Sequence, residues 1–221
     1  MTRPPATGDD TVTAYERAVA AWTARRDRRQ GAPLPGLPAA FTGAVLVEGV
    51  SDSAALHAAA GRLGVDPAAA GVAILPMGGA MSVRWFVDRL APAGVRLHGL
   101  CDEAEAAFFR RAGLEDGEIS VCRPDLEGEL VRALGTARVE SVLAREGDLG
   151  LFRTFQRQPA QRGRHVAAQL HRFLGTTSGR KEAYGRLLTA ELPAHELPLP
   201  LGRALTALLD DLSPSRSDRH V

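Results

Sequence analysis

Cysteine is nearly absent: the chain has only Cys101 and Cys122. Two thiols far apart, each closing an apolar stretch, provide neither a disulfide framework nor the paired spacing of a thiolate metal site. Both read as reduced core residues. Lysine is scarcer still, since Lys181 is the one lysine among 27 basic residues. No apolar run approaches the roughly 18 to 20 residues that a membrane-spanning helix requires. The N-terminus lacks the charged-then-apolar layout of a secretion signal. The expectation is a soluble cytoplasmic protein with no membrane partner. The chain also has no Gly-x-x-x-x-Gly-Lys-Ser/Thr phosphate loop, so no ATPase of that kind is expected in it.

The remaining composition is that of a globular protein, with 45% apolar and 24% charged residues. A net charge of +1 conceals two poles. Nine acids stand against three arginines between Cys101 and Leu130, whereas eight basic residues accompany one acid, Glu182, between Arg153 and Arg186. Two solvated faces would account for this. So would a metal-dependent enzyme with a polyanionic substrate, in which carboxylates hold cations and arginines hold phosphates.

The order of segments is informative. Residues Thr11–Arg29 place Val12, Tyr15, Val19 and Trp22 near a helical stripe and end in the basic run Arg25, Arg26, Arg28 and Arg29, which predicts a helical arm. Gly31–Pro38 carries three prolines and two glycines and reads as a linker. A boundary near residue 40 follows. Four apolar runs come next: Ala44–Val47, Val72–Leu75, Val95–Leu100 and Ile119–Cys122. Each is followed by helical potential, as in Asp52–Leu63 and Asp125–Leu134. Parallel strands need long crossovers, so repeated strand–helix units predict an α/β fold with a four-stranded, mainly parallel sheet flanked by helices. Beyond Gly135 the strand signal fades. Helical windows at His165–Leu174, Arg180–Leu192 and Leu201–Leu212 follow, broken by the proline-rich Leu192–Pro200, and the tail from Ser213 reads as disordered. The expected organisation is therefore an arm and linker (1–40), an α/β domain (41–135) and a helical C-terminal region (136–221).

Ligands of open α/β sheets bind outside the carboxyl ends of the strands, where three of the four runs lead into acids. Glu48 and Asp52 follow the first; Asp102, Glu103 and Glu105 the third; Asp125 and Glu127 the fourth. Converging carboxylates repel one another unless a cation is present, which points to Mg²⁺ or Mn²⁺. Oxygen-only ligands argue against zinc. Asp is also a good helix cap, so Asp52 and Asp125 have a purely structural reading as well.

The runs Val45-Leu46-Val47-Glu48-Gly49-Val50-Ser51-Asp52, Pro76-Met77-Gly78-Gly79, Leu100-Cys101-Asp102 and Asp125-Leu126-Glu127 resemble a Toprim domain of the overcoming-lysogenization-defect (OLD) nuclease type across residues 41–135. The resemblance implies a DNA endonuclease or nickase using two divalent ions. Glu48 then binds metal or acts as general acid/base, Asp52 resembles a second-metal ligand, and Asp102 matches the first aspartate of the family's Asp-x-Asp motif. Ala104 replaces the second. Glu105 is the substitute on the same face of a starting helix, with Glu103 as fallback. Glu127, with Asp125, stands for the acidic motif after the fourth strand. Gly49, Gly78 and Gly79 are turn positions near the site; the last two read as a tight turn admitting close backbone approach. Lys181, after the Gly/Ser/Thr-rich turn Gly175–Gly179, resembles the catalytic OLD-type lysine, although a surface lysine at a helix start would look the same. Longer OLD proteins carry an ATPase, so the resemblance implies that ATP control comes from a separate ATPase chain.

Arg153, Arg157, Arg162, Arg164, Arg172 and Arg180 are the candidate nucleic-acid contacts, for DNA in preference to RNA. His165 and His171, six apart, do not share a helical face and read as surface or phosphate-contacting residues. Trp85, Phe86, Phe108 and Phe109 read as core. Tyr15 belongs to the first apolar stripe, and neither it nor Tyr184 has the setting for covalent strand cleavage. Two rivals stay open: a primase-like nucleotidyl transferase using the same ions, and a non-catalytic Toprim module that binds nucleic acid or protein.

Overall fold

The computed structural model describes residues 7–25, 33–175 and 178–210. Arg26, Arg28 and Arg29 of the basic run, the start of the linker at Gly31, Thr176 and Thr177, and the tail from Ser213 lie outside the described residues. Helix α1 (Gly8–Ala24) precedes strand β1 (Gly43–Val47), α2 (Val50–Leu63), β2 (Val72–Pro76), α3 (Val83–Leu90) and β3 (Arg96–Asp102). After these come α4 (Ala106–Ala112), β4 (Ile119–Cys122) and α5 (Leu126–Arg145). The chain continues through α6 (Leu149–Gln156), α7 (Val166–Leu174), α8 (Ser178–Glu191) and α9 (Leu199–Asp210).

The strands form one four-stranded sheet in the order β2-β1-β3-β4, and every pairing is parallel. The expected α/β class and all four strand positions therefore hold. The strands read as unbroken apolar runs because both faces are covered. Alternation decides the face: Val45, Val47, Val72 and Ile74 pack with the helical side formed by α2, α5, α7, α8 and α9. Ala44, Leu46, Ala73 and Leu75 pack with α1, α3 and α4. Cys101 and Cys122 are buried and free, as expected.

The first helix is built into this core. Val12, Tyr15, Val19 and Trp22 are all buried, and α1 runs beside edge strand β2. Glu16 Oε2 accepts the Ile74 amide at 3.0 Å, and Thr23 Oγ1 donates to the Pro76 carbonyl at 3.1 Å. An edge strand's free polar groups are thus engaged by side chains rather than by another strand. The helix ends at Ala24, short of the Arg29 boundary expected, with Arg25 as its C-cap. Phe86 and Phe109 are fully buried. Trp85 and Phe108 are only partly so, with Arg89 over the Trp85 ring and Arg111 over Phe108. At Gly135, with φ of 74°, α5 breaks its helical path.

Candidate metal centre

The parallel register brings the ends of β1 and β3 side by side, with Val47 opposite Leu100. Glu48 follows β1 directly and Asp102 closes β3. A short 3₁₀ turn over Glu103–Glu105 then swings Glu105 back over the strand ends. One carboxylate oxygen from each of Glu48, Asp102 and Glu105 lies within 4.8 Å of the other two. Glu103 points elsewhere and pairs with Arg123 at 3.3 Å. Asp102 Oδ1 also accepts the Leu126 amide at 3.2 Å, which ties β3 to the start of α5.

Three acids so close cannot all ionise without cost. Burial, with the Asp52 charge next, pushes Asp102 up to about 7. Burial and a hydrogen bond shared with Glu48 raise Glu105 well above the carboxylate range. Its Oε2 is buried, and among the described residues no donor group reaches it. An oxygen held away from water without a donor is what a cation ligand looks like, and a hard divalent ion fits an all-carboxylate set.

Asp52 and Asp125 do cap helices. Asp52 Oδ2 accepts the Gly49 amide at 2.9 Å at the start of α2. Burial raises Asp52 to about 6, with the nearby Lys181 charge opposing that rise. Asp125 Oδ1 accepts the Gly128 amide at 2.8 Å. Its other oxygen accepts from His171 Nε2 at 2.7 Å. Burial works to raise Asp125, but the His171 and Gly128 hydrogen bonds outweigh it and hold the group low. The same bond raises His171. Glu127 is buried and pairs with Lys181 Nζ at 3.4 Å. Burial alone would lower Lys181, but Glu127, Asp52 and Asp102 together raise it. The sole lysine therefore sits in the field of these acids. It gets there because α8 packs closely on α2: Gly185, one turn beyond Lys181, presses on the backbone of Ser51, where a β-carbon would stand 3.0 Å from its carbonyl oxygen.

The β2–α3 turn supports this edge. Met77 N donates to the Val47 carbonyl at 2.9 Å and Gly79 N to the Glu48 carbonyl at 3.0 Å. Gly78 and Gly79 both have positive φ. A β-carbon on Gly78 would meet the Thr23 methyl of α1 at 2.5 Å.

The basic region divides. Arg153 is bound to Glu140 at 2.6 Å. Arg180 sits on Asp148 at 3.4 Å and over the Phe173 ring. Arg157, Arg162, Arg164 and Arg172 are exposed. Arg172 alone of these lines a cavity of about 300 Å³ with Asp125, Glu127, Phe155, His171 and Lys181. Sequence reasoning missed His171 as the partner of Asp125. Helical phase could not have found it, because the two are 46 positions apart.

Residues 42–103 match the family model described as overcoming lysogenization defect protein-like, TOPRIM domain. The match takes in Glu48, Asp52 and Asp102 and stops before Glu105, Asp125, Glu127 and Lys181. The C-terminal region of the Burkholderia pseudomallei OLD protein superposes with a TM-score of 0.58 at 15% identity, covering 78% of this chain and 99% of that one. The C-terminal region of the Xanthomonas campestris pv. campestris OLD protein gives 0.56 at 20% identity, covering 78% and 97%. These likenesses establish a shared fold over 78% of the chain, more than the matched residues 42–103 alone. No curated protein matches the chain. No helix among the described residues is long and apolar enough to cross a membrane.

Proposed function

Because the chain carries an OLD-like TOPRIM domain at residues 42–103, we propose that it is a divalent-metal-dependent nuclease that hydrolyses phosphodiester bonds of DNA, with Mg²⁺ or Mn²⁺ as cofactor. The observation that carries this reading is the convergence of Glu48, Asp102 and Glu105, together with a buried Glu105 oxygen that no donor among the described residues reaches. These three hold one ion. Asp52 and Glu127 are the remaining acids for a second. When bound, such ions supply the positive charge that polarises a scissile phosphate and lowers the pKa of an attacking water.

The chain's own residues do the rest. Asp102 fixes the α5 start through the Leu126 amide, which sets Glu127 opposite Lys181. Lys181 presents a compact ammonium to the developing charge on the phosphate or leaving oxygen. Glu48, whose backbone carbonyl is fixed by the Gly79 amide, binds the ion or acts as general acid/base at the reacting centre. The exposed arginines hold the strand.

A cleavage assay on plasmid DNA and on RNA, across Mg²⁺, Mn²⁺ and Ca²⁺, tests this reading. Nicked or linear DNA with Mg²⁺ or Mn²⁺, abolished by Glu48→Gln, is expected. Extension of a primer by nucleoside triphosphates on a template, without cleavage, would shift the assignment to a transferase. Nucleic-acid binding that is independent of metal and without turnover would leave a binding module.

A further inference from the structure

Beside the three-carboxylate group, whose Asp102 lies in the field of Lys181, Asp125 and Glu127, α6, α7, α8 and the start of α5 line the cavity of about 300 Å³. That is at the lower end of the sizes ligand sites take, with room for one nucleoside unit and none for a base pair. Phe155 forms an apolar wall. Its ring is half-buried and meets Phe173 edge-on at 5.5 Å, and Phe173 in turn packs against the fully buried Phe152 at 5.3 Å. The wall is therefore anchored in the core. Arg172 lines the same cavity, is exposed, and has no hydrogen-bond or ion-pair partner among the described residues. Lys181 supplies a second cation, one-third exposed and held by Glu127.

We propose that this cavity is a subsite for a single unpaired nucleotide adjoining the phosphodiester to be cut, with its base against Phe155 and its phosphate between Arg172 and Lys181. The inference rests on the nuclease reading and deepens it, because it specifies the substrate. An aromatic wall accepts any base face, and stacking contributes about 1–3 kcal/mol per base. Cations on the same cavity engage the phosphate without reading sequence. The cavity's volume of about 300 Å³ limits the site to one nucleotide. Bases inside a duplex are stacked and cannot reach a concave wall; they must be unpaired or turned out first. The preferred substrate is accordingly a strand that is single, frayed or gapped beside the cut.

The test uses a short single strand carrying the fluorescent base 2-aminopurine, mixed with the full chain in Ca²⁺. Wild type should quench the fluorescence, while the same base inside a fully paired duplex should not be quenched. Phe155→Leu should abolish the quenching and weaken binding on the order of tenfold. Arg172→Gln, at an exposed position with no folding risk, should weaken binding of the same strand. Thermal melting checks that Phe155→Leu is folded. Absence of quenching by wild type, or equal quenching by wild type and both variants, would overturn the subsite. So would equal affinity for free 2-aminopurine nucleoside monophosphate, which would make it a site for free nucleotide. The measurement needs no turnover, so it separates the two readings. Quenching without cleavage on any substrate removes the nuclease and keeps the subsite; cleavage without quenching does the reverse.

Discussion

Ala104 stands where the resemblance to Toprim domains implies a second aspartate, and a 3₁₀ turn over Glu103–Glu105 brings Glu105 to the cluster instead. Glu105→Ala should therefore lose metal affinity and cleavage, while Glu103→Ala, on the Arg123 side, should keep both. Isothermal titration with Mn²⁺ alongside the cleavage assay checks this, and the opposite ranking would reverse the assignment. Lys181 invites a different substitution. Lys181→Arg keeps the charge but replaces a compact ammonium beside Glu127 with a planar fork whose donors point in fixed directions. Strand binding should stay normal and turnover fall about 100-fold; near-normal turnover would reduce Lys181 to a surface charge. The acids also couple stability to pH. Asp52 and Asp102, raised to about 6 and about 7, bind protons more tightly folded than unfolded. Without metal, their contribution therefore falls as pH rises from about 4 to about 7. A divalent ion favours the ionised forms, so its increment in melting temperature should grow across that window; an increment independent of pH would count against these acids as its ligands. Glu48, Asp102 and Glu105 were legible as strand-end acids because the strands themselves were. The Asp125–His171 pair was not, since only the packing of α7 on α5 brings them together.

Among elements, α1 shows the limit of local reading most clearly. Its stripe of Val12, Tyr15, Val19 and Trp22 gave its helical character and buried face, but what that face packs against is a tertiary matter. The helix lies along β2, and its last turn wedges Thr23 against Gly78, in the turn that holds the Glu48 carbonyl. Gly78→Ala is a sharp probe of this link. A side chain there is disfavoured by the positive φ, 71°, at a cost of about 1–3 kcal/mol. It also pushes on Thr23. Lower thermal stability is expected together with weaker metal binding, and Thr23→Ala in the same chain should restore part of both by removing the obstructing methyl. A Gly78→Ala protein that melts and binds Mn²⁺ like wild type would break the link between α1 and the metal edge. The helical windows after Gly135 were also legible, because periodicity and the Leu192–Pro200 interruption are local. The way α8 is set against α2 was not, since it depends on the missing β-carbon of Gly185.

At the scale of the molecule, the acidic edge and the arginine-rich region from Arg153 to Arg186 lie in one folded unit, but they are not equally available. Arg153 and Arg180 are occupied by Glu140 and Asp148. Arg157, Arg162, Arg164, Arg172 and Arg186 are exposed. If each of these five meets one phosphate, the slope of log affinity against log salt on duplex DNA is about −4 to −5. Fluorescence anisotropy over a salt series measures it directly, and a flat line would leave these arginines as solvated surface.

The contact between α1 and β2 also sets an order of events during synthesis. Glu16 leaves the ribosome 58 positions ahead of the amide it receives, a wait of about 3–12 s at roughly 5–20 residues per second. Throughout that interval α1 has no sheet to lie against and its aromatic face stays in water. Once β2 is made, its edge is open until α1 docks. An open edge invites pairing with a neighbouring chain, so the helix that emerges first also shields the strand that would otherwise recruit another nascent copy.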